Sequence, residues 1–397
     1  METKKLLDGL YWTGVLDPEL RVFDIIMRTE FGTTYNSYFI DGGEKTALVE
    51  SAKLCFWDDY RASLSGLTDV AKIDYLILNH TEPDHAGSVE KLLELNPALT
   101  IVGAASALGF LKFIVNRKFE SIAVKDGDSL PLGGKTLRFF ALPNLHWPDT
   151  MYTWLEEDRV LFTCDSFGAH YSHPGILRST VSDEAGYGRA AKYYFDNILG
   201  LFKRPFMVNG LKKARELNPA LVCPGHGPVL DSRLDELFAL YDAWCAAPET
   251  GPRKKVVLPY VSAYGYTASL AARIADGVRD GGADAALYDM VASDPDEVKA
   301  ALAAADGFLL GSPTILNQPL APIYELTLSM FPATHKGKLA SAFGSYGWSG
   351  EAVPQLLERL RQIKLRVPDE GFRVRFKPSD AELGDAYEYG KAFAAAL

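Results

Sequence analysis

Residues 79–87 read Asn79-His80-Thr81-Glu82-Pro83-Asp84-His85-Ala86-Gly87, which brings two imidazoles and two carboxylates into one short segment. The segment follows residues 72–78, a mostly apolar run that predicts a short buried strand. A strand sends alternate side chains to opposite faces, but the loop that leaves its carboxyl end can turn several toward one point. Imidazole together with carboxylate suits first-row transition metals. The segment therefore predicts half of a two-metal site.

The spacing within this segment indicates how its side chains divide between two ions. His80 and Glu82 are two residues apart and can project toward one ion, while Asp84 and His85 lie in the next turn and can reach a second. The alternative interpretation is a helix N-terminus in which Asp84 acts as a cap and both histidines are solvated. The two-metal interpretation is favoured because other parts of the chain supply further ligands of the same kind.

Three later segments repeat this design, since each is an apolar run that ends in a potential ligand. His146 follows the run 136–142, Asp165 follows 159–164, and His226 follows 220–223. Strand ends that converge on one edge of a sheet are where ligand groups of layered α/β folds gather. The sequence therefore predicts seven metal ligands, which are His80, Glu82, Asp84, His85, His146, Asp165 and His226.

Length, composition and charge limit the kind of protein this is. A chain of 397 residues predicts two or three domains, and 48% hydrophobic with 23% charged residues is typical of globular proteins. The net charge of −10, with no Lys/Arg stripe, argues against a nucleic-acid partner. No apolar run approaches the roughly 20 residues of a membrane span, and none follows the start Met-Glu-Thr-Lys-Lys. The sequence therefore predicts a soluble cytoplasmic protein without a membrane partner.

The four cysteines, Cys55, Cys164, Cys223 and Cys245, lie far apart and form no C-x-x-C pair. This spacing excludes a four-cysteine iron site or a zinc ribbon on this chain, and it gives no disulfide framework. Cys164 and Cys223 occur in apolar, strand-like segments, so both are predicted to be buried and reduced.

The last third of the chain begins with a change in composition, which predicts a second domain. Residues 246–255 are polar, contain Pro and Gly, and end in a basic run, which is typical of a linker. We therefore expect one domain over 1–249 and another over 250–397. The apolar run 256–261 leads through a turn rich in hydroxyl groups into the helical pattern 268–278. Such a turn offers backbone N–H groups and the positive end of a helix dipole to a phosphate.

Two later loops strengthen the prediction of a ligand crevice in this second domain. The strand-like runs 307–311 and 339–343 each lead into a loop and then a helix, and the run 373–376 closes the pattern. The sequence contains neither a Walker loop nor a G-x-G-x-x-G fingerprint here. These repeats predict a doubly wound, five-stranded parallel sheet whose strand-end loops form the crevice.

Nearer the amino terminus, residues 10–60 predict a meander of short strands, one of them over 32–40.

The ligand pattern resembles that of the metallo-β-lactamase fold, and specifically that of the flavodiiron proteins. The chain has H-x-E-x-D-H, a distant H-W-P-D, a strand-terminal Asp and a late G-H-G. Hydrolases of this fold usually have a second histidine where this chain has Glu82, and an additional hard oxygen ligand favours iron and redox chemistry. The last third resembles flavodoxin. The resemblance implies an α/β protein with an N-terminal metallo-β-lactamase-like αββα sandwich and a C-terminal flavodoxin-like domain.

The resemblance also implies roles for the metal ligands. His80, Glu82 and His146 would hold one iron, Asp84, His85 and His226 the other, and Asp165 would bridge both. Asp149, His170 and Tyr193 are candidates for orienting ligands or donating hydrogen bonds to substrate, with His170 and Tyr193 placed in the catalytic set. Family members often have Gly-Gln-His after the bridging Asp, where this chain has Gly168-Ala169-His170.

By the same resemblance, three loops would hold FMN. The first would cradle the phosphate, and the other two would flank the isoalloxazine ring, with Tyr346 and Trp348 near the ring. The implied residues are Ser262, Ala263, Tyr264, Gly265, Tyr266 and Thr267 in the first loop, Ser312, Pro313, Thr314, Ile315 and Asn317 in the second, and Ser345, Tyr346, Gly347, Trp348, Ser349 and Gly350 in the third.

The reaction implied by the resemblance is reduction of dioxygen to water, of nitric oxide to nitrous oxide, or of both, at two iron ions. FMN would supply these iron ions with electrons. An external donor, either rubredoxin or a reduced deazaflavin, would provide electrons. A head-to-tail homodimer, or a dimer of such dimers, would place the FMN of one subunit beside the metals of the other. Two alternatives remain open: a dizinc hydrolase joined to a flavodoxin-like module, and a flavin-containing sensor or electron carrier with a vestigial metal site.

Overall fold

A computed structural model describes residues 3–24, 27–246, 253–330 and 332–397 of the chain. The chain divides into two compact units, residues 1–246 and 247–397. The boundary predicted between residues 249 and 250 lies outside the described residues. Each unit has hydrophobic clusters of its own, as expected for a domain.

The first unit is built on two mixed β-sheets. The larger sheet has the spatial strand order Lys4–Leu7, Leu10–Trp12, Tyr38–Asp41, Thr46–Val49, Tyr75–Leu78, Thr100–Ala104 and Glu120–Val124. The smaller sheet has the order Ser129–Pro131, Thr136–Ala141, Met151–Leu155, Val160–Cys164 and Leu221–Pro224. Two short ladders pair Val15–Asp17 with Thr33–Tyr35 and Val22–Phe23 with Met27–Arg28.

Alternation along the strands explains how these two sheets stack. Ile77 of the larger sheet and Phe162 of the smaller sheet belong to one buried cluster between the sheets. Their neighbours point the opposite way, because successive strand residues face opposite sides. Leu76 packs outward in a cluster with the helical residue Leu92, and Leu161 packs outward among the helices on the other side. The four layers confirm the predicted αββα sandwich.

The helices of the first unit cover the two outer sheet faces. Residue Asp183 shows how one of them begins, since its Oδ1 accepts a hydrogen bond from the backbone N–H of Gly186 at 2.8 Å. The α-helices are Trp57–Ser65, Pro83–Ala86, Val89–Leu95, Ala105–Val115, Glu184–Tyr194, Val208–Leu217 and Leu234–Cys245. Short 3₁₀ and π segments are Leu54–Phe56, Val70–Lys72, Arg178–Thr180, Phe195–Leu199, Gly200–Phe202 and Lys203–Met207.

The single strand predicted over 32–40 is instead two strands with a break at Asn36. Asn36 is fully buried, so its amide must find partners inside the protein. Its Nδ2 donates to the carbonyls of Pro224 at 2.8 Å and Gly227 at 2.9 Å, and its Oδ1 accepts from the Trp12 indole at 2.8 Å. These bonds turn the chain toward the loop that carries His226.

The second unit confirms the predicted doubly wound parallel sheet. Its strands have the order Asp284–Asp289, Lys255–Tyr260, Gly307–Gly311, Leu339–Tyr346 and Phe372–Arg375, and all pair in parallel. A small hairpin pairs Thr314–Ile315 with Gln318–Pro319. The helices are Tyr266–Asp280, Pro295–Ala304, Ala321–Leu328, Pro332–His335, Ala352–Gln362 and Asp380–Ala395. Among the described helices, none combines the length and apolar character needed to cross a bilayer.

Candidate functional site

The strand ends of the first unit bring the seven predicted ligands into one place. Strand Tyr75–Leu78 ends just before His80, and the short helix Pro83–Ala86 follows with proline at its first position, where no intrahelical N–H bond is needed. Asp165 and His226 follow the ends of two adjacent parallel strands in the smaller sheet. Parallel strands end at the same sheet edge, so their following residues converge.

His80, Glu82, His146 and Asp165 form one group whose ligand atoms lie within 4.8 Å of one another. The Nε2 atoms of His80 and His146 are 3.1 and 3.2 Å from Glu82 Oε2. The same two nitrogens are 3.5 and 3.1 Å from Asp165 Oδ2. Atoms bound to a common ion at about 2.0–2.2 Å lie roughly this far apart, so the group fits one metal ion.

Asp84, His85 and His226 form a second group on the other side of Asp165. His226 Nε2 is 3.0 Å from Asp84 Oδ2, and His85 Nε2 is 3.5 Å from Asp84 Oδ1. Asp165 Oδ1 is 3.2 Å from His85 Nε2 and 3.5 Å from His226 Nε2. Asp165 therefore offers Oδ2 to the first group and Oδ1 to the second, which is the geometry of a bridging carboxylate.

The two groups differ in their access to solvent. Glu82 and His146 keep 19% and 16% of their side-chain surface exposed. The corresponding values are 5% for Asp84, 1% for His85 and 2% for His226. The combined site is therefore open on the side of the first group and closed on the side of the second.

The histidines of the first group carry charge in the metal-free chain. Burial alone would lower the pKa of His80, but hydrogen bonds to Asp149 and Glu82 outweigh burial and raise this pKa to about 10. Burial is likewise outweighed at His146, where hydrogen bonds to Asp165 and Glu82 raise the pKa to about 9. A metal cation at this position would take the place of these protons.

The carboxylates of the second group remain ionised. Burial would raise the pKa of Asp84, but the charge of His85 and a hydrogen bond from His226 lower it to about 2. Burial is also overcome at Asp165, whose pKa lies well below its ordinary value because of the His85 charge and the hydrogen bond from His146. Buried carboxylates and imidazoles therefore stabilise one another's charged forms at this site.

Asp149 lies behind the first group, as the sequence predicts. Its Oδ1 is 3.1 Å from His80 Nδ1, and its Oδ2 accepts hydrogen bonds from the backbone N–H and hydroxyl of Thr81 at 2.9 and 2.6 Å. In the second group, the carbonyl oxygen of Thr34 lies 2.6 Å from His226 Nδ1. Each contact holds the far nitrogen of a ligand imidazole and so fixes which nitrogen faces the metal position.

The predicted role of Tyr193 is wrong in its position, because the neighbouring Tyr194 occupies the site. Tyr194 is fully buried, and its hydroxyl donates to Asp165 Oδ1 at 3.0 Å. Tyr193 is 41% exposed, and its hydroxyl accepts instead from the backbone N–H of Arg28 at 3.3 Å. Adjacent residues of a helix point about 100° apart, so only one of the pair can face the ligands.

His170 lies beside the site but makes no polar contact with a predicted ligand. Its Nδ1 is 2.9 Å from the Thr33 hydroxyl, and its ring centroid is 5.3 Å from that of His226 and 4.8 Å from that of Tyr194. Burial and the charge of His226 hold the pKa of His170 well below its ordinary value. His170 is therefore a neutral imidazole packed against the second group.

The sequence prediction missed Glu50, which forms a third group with His85 and Cys164. Glu50 follows strand Thr46–Val49 and is 1% exposed, and its Oε1 accepts from the backbone N–H of Asn79 at 3.0 Å. Burial raises the pKa of this carboxyl to about 7. The signal available in the sequence was an acidic residue directly after an apolar run, which is the same signal that identified Asp165.

In the second unit, the three predicted FMN loops leave the same edge of the sheet. They follow the adjacent parallel strands Lys255–Tyr260, Gly307–Gly311 and Leu339–Tyr346. Gly265 in the first loop has a φ of +84° and directly precedes helix Tyr266–Asp280, and an added Cβ there would meet nothing within 4 Å. The first loop therefore presents an open backbone turn at the N-terminus of a long helix, as a phosphate cradle requires.

Buried hydroxyl groups connect these loops. The hydroxyls of Thr267 and Ser345 are 3.0 Å apart and join the first loop to the third. Ser312 in the second loop accepts from the backbone N–H of Leu320 at 2.9 Å, and the Thr314 hydroxyl accepts from that of Ala352 at 3.1 Å. These predicted cofactor-binding hydroxyls therefore also hold the loop conformations.

Other predicted FMN residues form the rim of the same edge. Tyr264 and Trp348 are 80% and 83% exposed, so their rings are available to a planar ligand. Tyr346 is half-buried and lies under Gly350, where an added Cβ would meet its ring at 3.0 Å. Asn317 Nδ2 donates to Glu351 Oε1 at 2.9 Å, which ties the second loop to the third.

Comparison with known proteins agrees with both units. The model of the ODP family of β-lactamases matches residues 33–227, and the flavodoxin model matches residues 258–390. The chain is 38% identical over 403 residues to the flavo-diiron protein FprA2 of Clostridium acetobutylicum, with complete coverage of both chains. It is 33% identical over 397 residues to a nitric oxide reductase of Moorella thermoacetica, covering 99% of this chain and 98% of the relative.

A solved structure is similar to this chain over almost its whole length. The rubredoxin oxygen:oxidoreductase from the anaerobe Desulfovibrio gigas matches with a TM-score of 0.71 and 27% identity, covering 99% of this chain and 98% of that one. Full-length similarity to these proteins, together with a ligand set that has Glu82 in place of a hydrolase histidine, shows that this chain belongs to the flavodiiron protein family.

Proposed function

We propose that this protein is a flavodiiron reductase, which reduces dioxygen to water, nitric oxide to nitrous oxide, or both. The observation that carries the proposal is the division of the Asp165 oxygens, with Oδ2 facing one histidine–carboxylate group and Oδ1 facing the other. This donor set of imidazole nitrogens and carboxylate oxygens fits two iron ions held side by side. The Moorella thermoacetica relative is named a nitric oxide reductase, which supports the assignment.

We assign His80, Glu82 and His146 to one iron and Asp84, His85 and His226 to the other, with Asp165 between them. When bound, the irons would supply electrons and open coordination positions for the gas. The chain supplies the rest, since Asp149 and Thr34 hold the far nitrogens of two ligand histidines and Tyr194 donates to the bridging carboxylate. The exposed side at Glu82 and His146 is the route by which a small gas reaches the site.

We assign the crevice of the second unit to FMN. The open turn at Gly265 would receive the phosphate, and the second and third loops would flank the ring system, with Tyr264 and Trp348 on the rim. FMN would accept and pass on electrons singly or in pairs. The chain contributes the cradle, the loop-to-loop hydroxyl bonds and the exposed aromatic rings.

We propose that electrons come from an external protein donor, and that two chains work together. The Desulfovibrio gigas relative is named for rubredoxin, which supports rubredoxin as the donor, and a reduced deazaflavin is the alternative. Transfer from a flavin to a metal site has to be short in range, so we propose a head-to-tail homodimer, or a dimer of dimers, in which each FMN serves the metals of the partner subunit.

We also propose a cytoplasmic location. Cys55, Cys164, Cys223 and Cys245 are all unpaired thiols, and three of them are buried. Free cysteines without disulfides are typical of proteins from reducing compartments.

The proposal is tested by measuring metal and flavin content, followed by turnover with each gas. We expect about two iron ions and one FMN per chain, and consumption of dioxygen, nitric oxide or both when a reductant and a donor are supplied. Parallel assays with the two gases under identical conditions decide the preferred substrate. A protein that binds zinc without flavin and consumes neither gas would support the dizinc hydrolase alternative instead.

A further inference from the structure

We propose that Glu50 positions His85 for metal binding by accepting a hydrogen bond from the His85 Nδ1–H group. This inference rests on the proposed two-metal centre and adds a residue that acts on the second ion through one of its ligands. Glu50 itself lies outside both ligand groups, so it is a positioning residue rather than a ligand.

Two complementary buried atoms carry the proposal. Glu50 Oε2 and His85 Nδ1 are both buried without a hydrogen-bond partner among the described residues. Glu50, His85 and Cys164 each place a ligand-type atom within 4.8 Å of the others. Leaving a buried polar atom without a partner costs about 1–3 kcal/mol, so a small movement that joins this free acceptor to this free donor is favoured. The nearest Glu50 oxygen and His85 nitrogen lie between 4.0 and 4.8 Å apart, so the carboxyl group has to shift slightly toward the ring for the bond to form.

Two other candidate ligand histidines, His80 and His226, have an oxygen next to Nδ1. His80 Nδ1 faces a carboxylate oxygen of Asp149 at 3.1 Å, and His226 Nδ1 faces the Thr34 carbonyl oxygen at 2.6 Å. In both cases the far nitrogen meets an oxygen, which leaves Nε2 directed at the metal position. His85 also directs Nε2 at the carboxylates of its group. Glu50 supplies the oxygen that would complete the same pattern at His85.

The surrounding chain already holds His85 close to this carboxylate. The residue after Glu50, Ser51, donates both its backbone N–H and its hydroxyl to the His85 carbonyl, at 2.9 and 2.6 Å. An added Cβ at Gly225 would meet His85 Cε1 at 2.6 Å and His85 Nδ1 at 3.2 Å, so the imidazole packs directly on this glycine. The ring therefore has little freedom, and the Glu50 bond decides its tautomer.

Cys164 does not provide the missing partner in an ionised form. Burial and the nearby Glu50 charge raise the pKa of the Cys164 thiol well above its ordinary value, so it stays protonated. A thiol is a weak donor and acceptor, and it can add a weak contact to Glu50 without replacing the imidazole. The carboxylate remains the strong acceptor in this group.

Substitution Glu50→Gln tests the proposal, because it keeps the shape and reverses the hydrogen bonding. The Asn79 backbone N–H bonds to Oε1 at 3.0 Å and requires an oxygen there. The glutamine NH₂ group would then face His85 Nδ1 and favour the tautomer with hydrogen on Nε2, which cannot bind metal. We expect about a 10- to 100-fold loss of affinity for one iron ion of the pair, with the other retained.

The readout is Mössbauer spectroscopy of the FMN-loaded protein reconstituted with isotopically enriched iron, together with iron retention against a chelator. In Glu50→Gln we expect the signal of one iron to change or disappear while the other signal and the FMN content stay as in the unsubstituted protein. Glu90→Gln is the matched control, since it makes the same change in an exposed side chain of helix Val89–Leu95 that belongs to neither ligand group. We expect this control to keep both iron signals.

Three outcomes would overturn the inference. Two unchanged iron signals and unchanged chelator resistance in Glu50→Gln would show that Glu50 does not position His85. Equal loss of both irons would show a general structural role. Binding of a third metal ion that disappears in Cys164→Ser would show that Glu50, His85 and Cys164 form a metal site of their own.

If Glu50→Gln does not fold with FMN, Glu50→Asp provides the same readout, because its shorter side chain cannot reach both Asn79 and His85. A protein without any iron or FMN would refute the proposed function itself.

Discussion

At the scale of single residues, Tyr193 and Tyr194 make the clearest pair for comparison. Tyr194 donates a hydrogen bond to Asp165 Oδ1 at 3.0 Å, whereas Tyr193 is partly exposed and bonds to the backbone of Arg28. We expect Tyr194→Phe to lower iron affinity about 10- to 100-fold and to slow gas consumption, because the bridging carboxylate loses a partner that orients it. Metal titration and turnover assays measure both effects.

Tyr193→Phe is the control for this prediction. It removes a tyrosine hydroxyl from the preceding position, on another face of the helix. Iron affinity should therefore stay unchanged. Equal losses in both variants would show that the effect comes from the helix and not from the Asp165 contact.

The metal-free protein should also show an unusual dependence of stability on pH. The folded-state pKa values of His80 and His146, about 10 and about 9, lie above the ordinary value of 6.5. Their contribution to the free energy of unfolding is fully present below about pH 6.5 and is lost as pH rises through these folded-state values. We expect denaturant unfolding of the metal-free protein to show falling stability between about pH 7 and pH 10.

Because His80 and His146 are protonated at pH 7 in the metal-free protein, metal binding should release protons. Calorimetry of metal loading in two buffers with different ionisation heats measures that release. Stability that rises across this pH range, or metal loading without proton release, would contradict the assignment of charged histidines in the metal-free protein.

The sequence could predict the residues that cluster as candidate ligands at this scale, but not every residue around them. Asp165 and His226 follow apolar strands directly, so strand ends alone indicated them. The choice between Tyr193 and Tyr194 depends on which face of the helix meets the site, and tertiary packing decides that. Glu50 follows an apolar run just as Asp165 does, but its relation to His85 exists only once two strands are side by side, and the sequence does not show that pairing.

At the scale of elements, the strands were predictable because apolar runs mark where they lie and turn residues mark where they end. The break at Asn36 was not predictable, since it results from hydrogen bonds to the distant residues Pro224 and Gly227. The crossing of helices Tyr266–Asp280 and Asp380–Ala395 is likewise a tertiary feature. It depends on glycines that allow two backbones to approach closely.

Gly277→Ala tests this helix crossing. An added Cβ would meet the backbone oxygen of Tyr387 at 1.9 Å, and relief of that clash requires the helices to separate. We expect the substitution to destabilise the second unit by about 1–3 kcal/mol, because overpacking strains a close contact. Release of bound FMN during denaturant unfolding, followed by fluorescence, reports on this unit.

Gly384→Ala is the matched control on the second helix of the crossing. An added Cβ there meets nothing within 4 Å, so the higher helix propensity of alanine should raise stability by up to about 1 kcal/mol. A destabilised control together with an unaffected Gly277→Ala variant would contradict the packing described for the crossing.

At the scale of the whole molecule, the chain joins two units with separate cores and separate candidate sites. The doubly wound sheet was predictable from the order of strands and helices along the chain, whereas the αββα sandwich was predicted through the family resemblance. How electrons pass from the FMN loops to the metal ligands was not predictable from residue patterns. The proposed head-to-tail dimer follows from the family resemblance and from the short range of electron transfer.

The most direct test of the central claim is product formation by the fully reduced protein and by its Asp165→Ala variant. Each protein, loaded with iron and FMN where it binds them, is mixed anaerobically with nitric oxide and separately with a limited amount of dioxygen. We predict nitrous oxide from nitric oxide, or water without hydrogen peroxide from dioxygen, only for the protein that retains Asp165, because this residue offers one oxygen to each metal group. The same product at the same rate from Asp165→Ala would contradict the account.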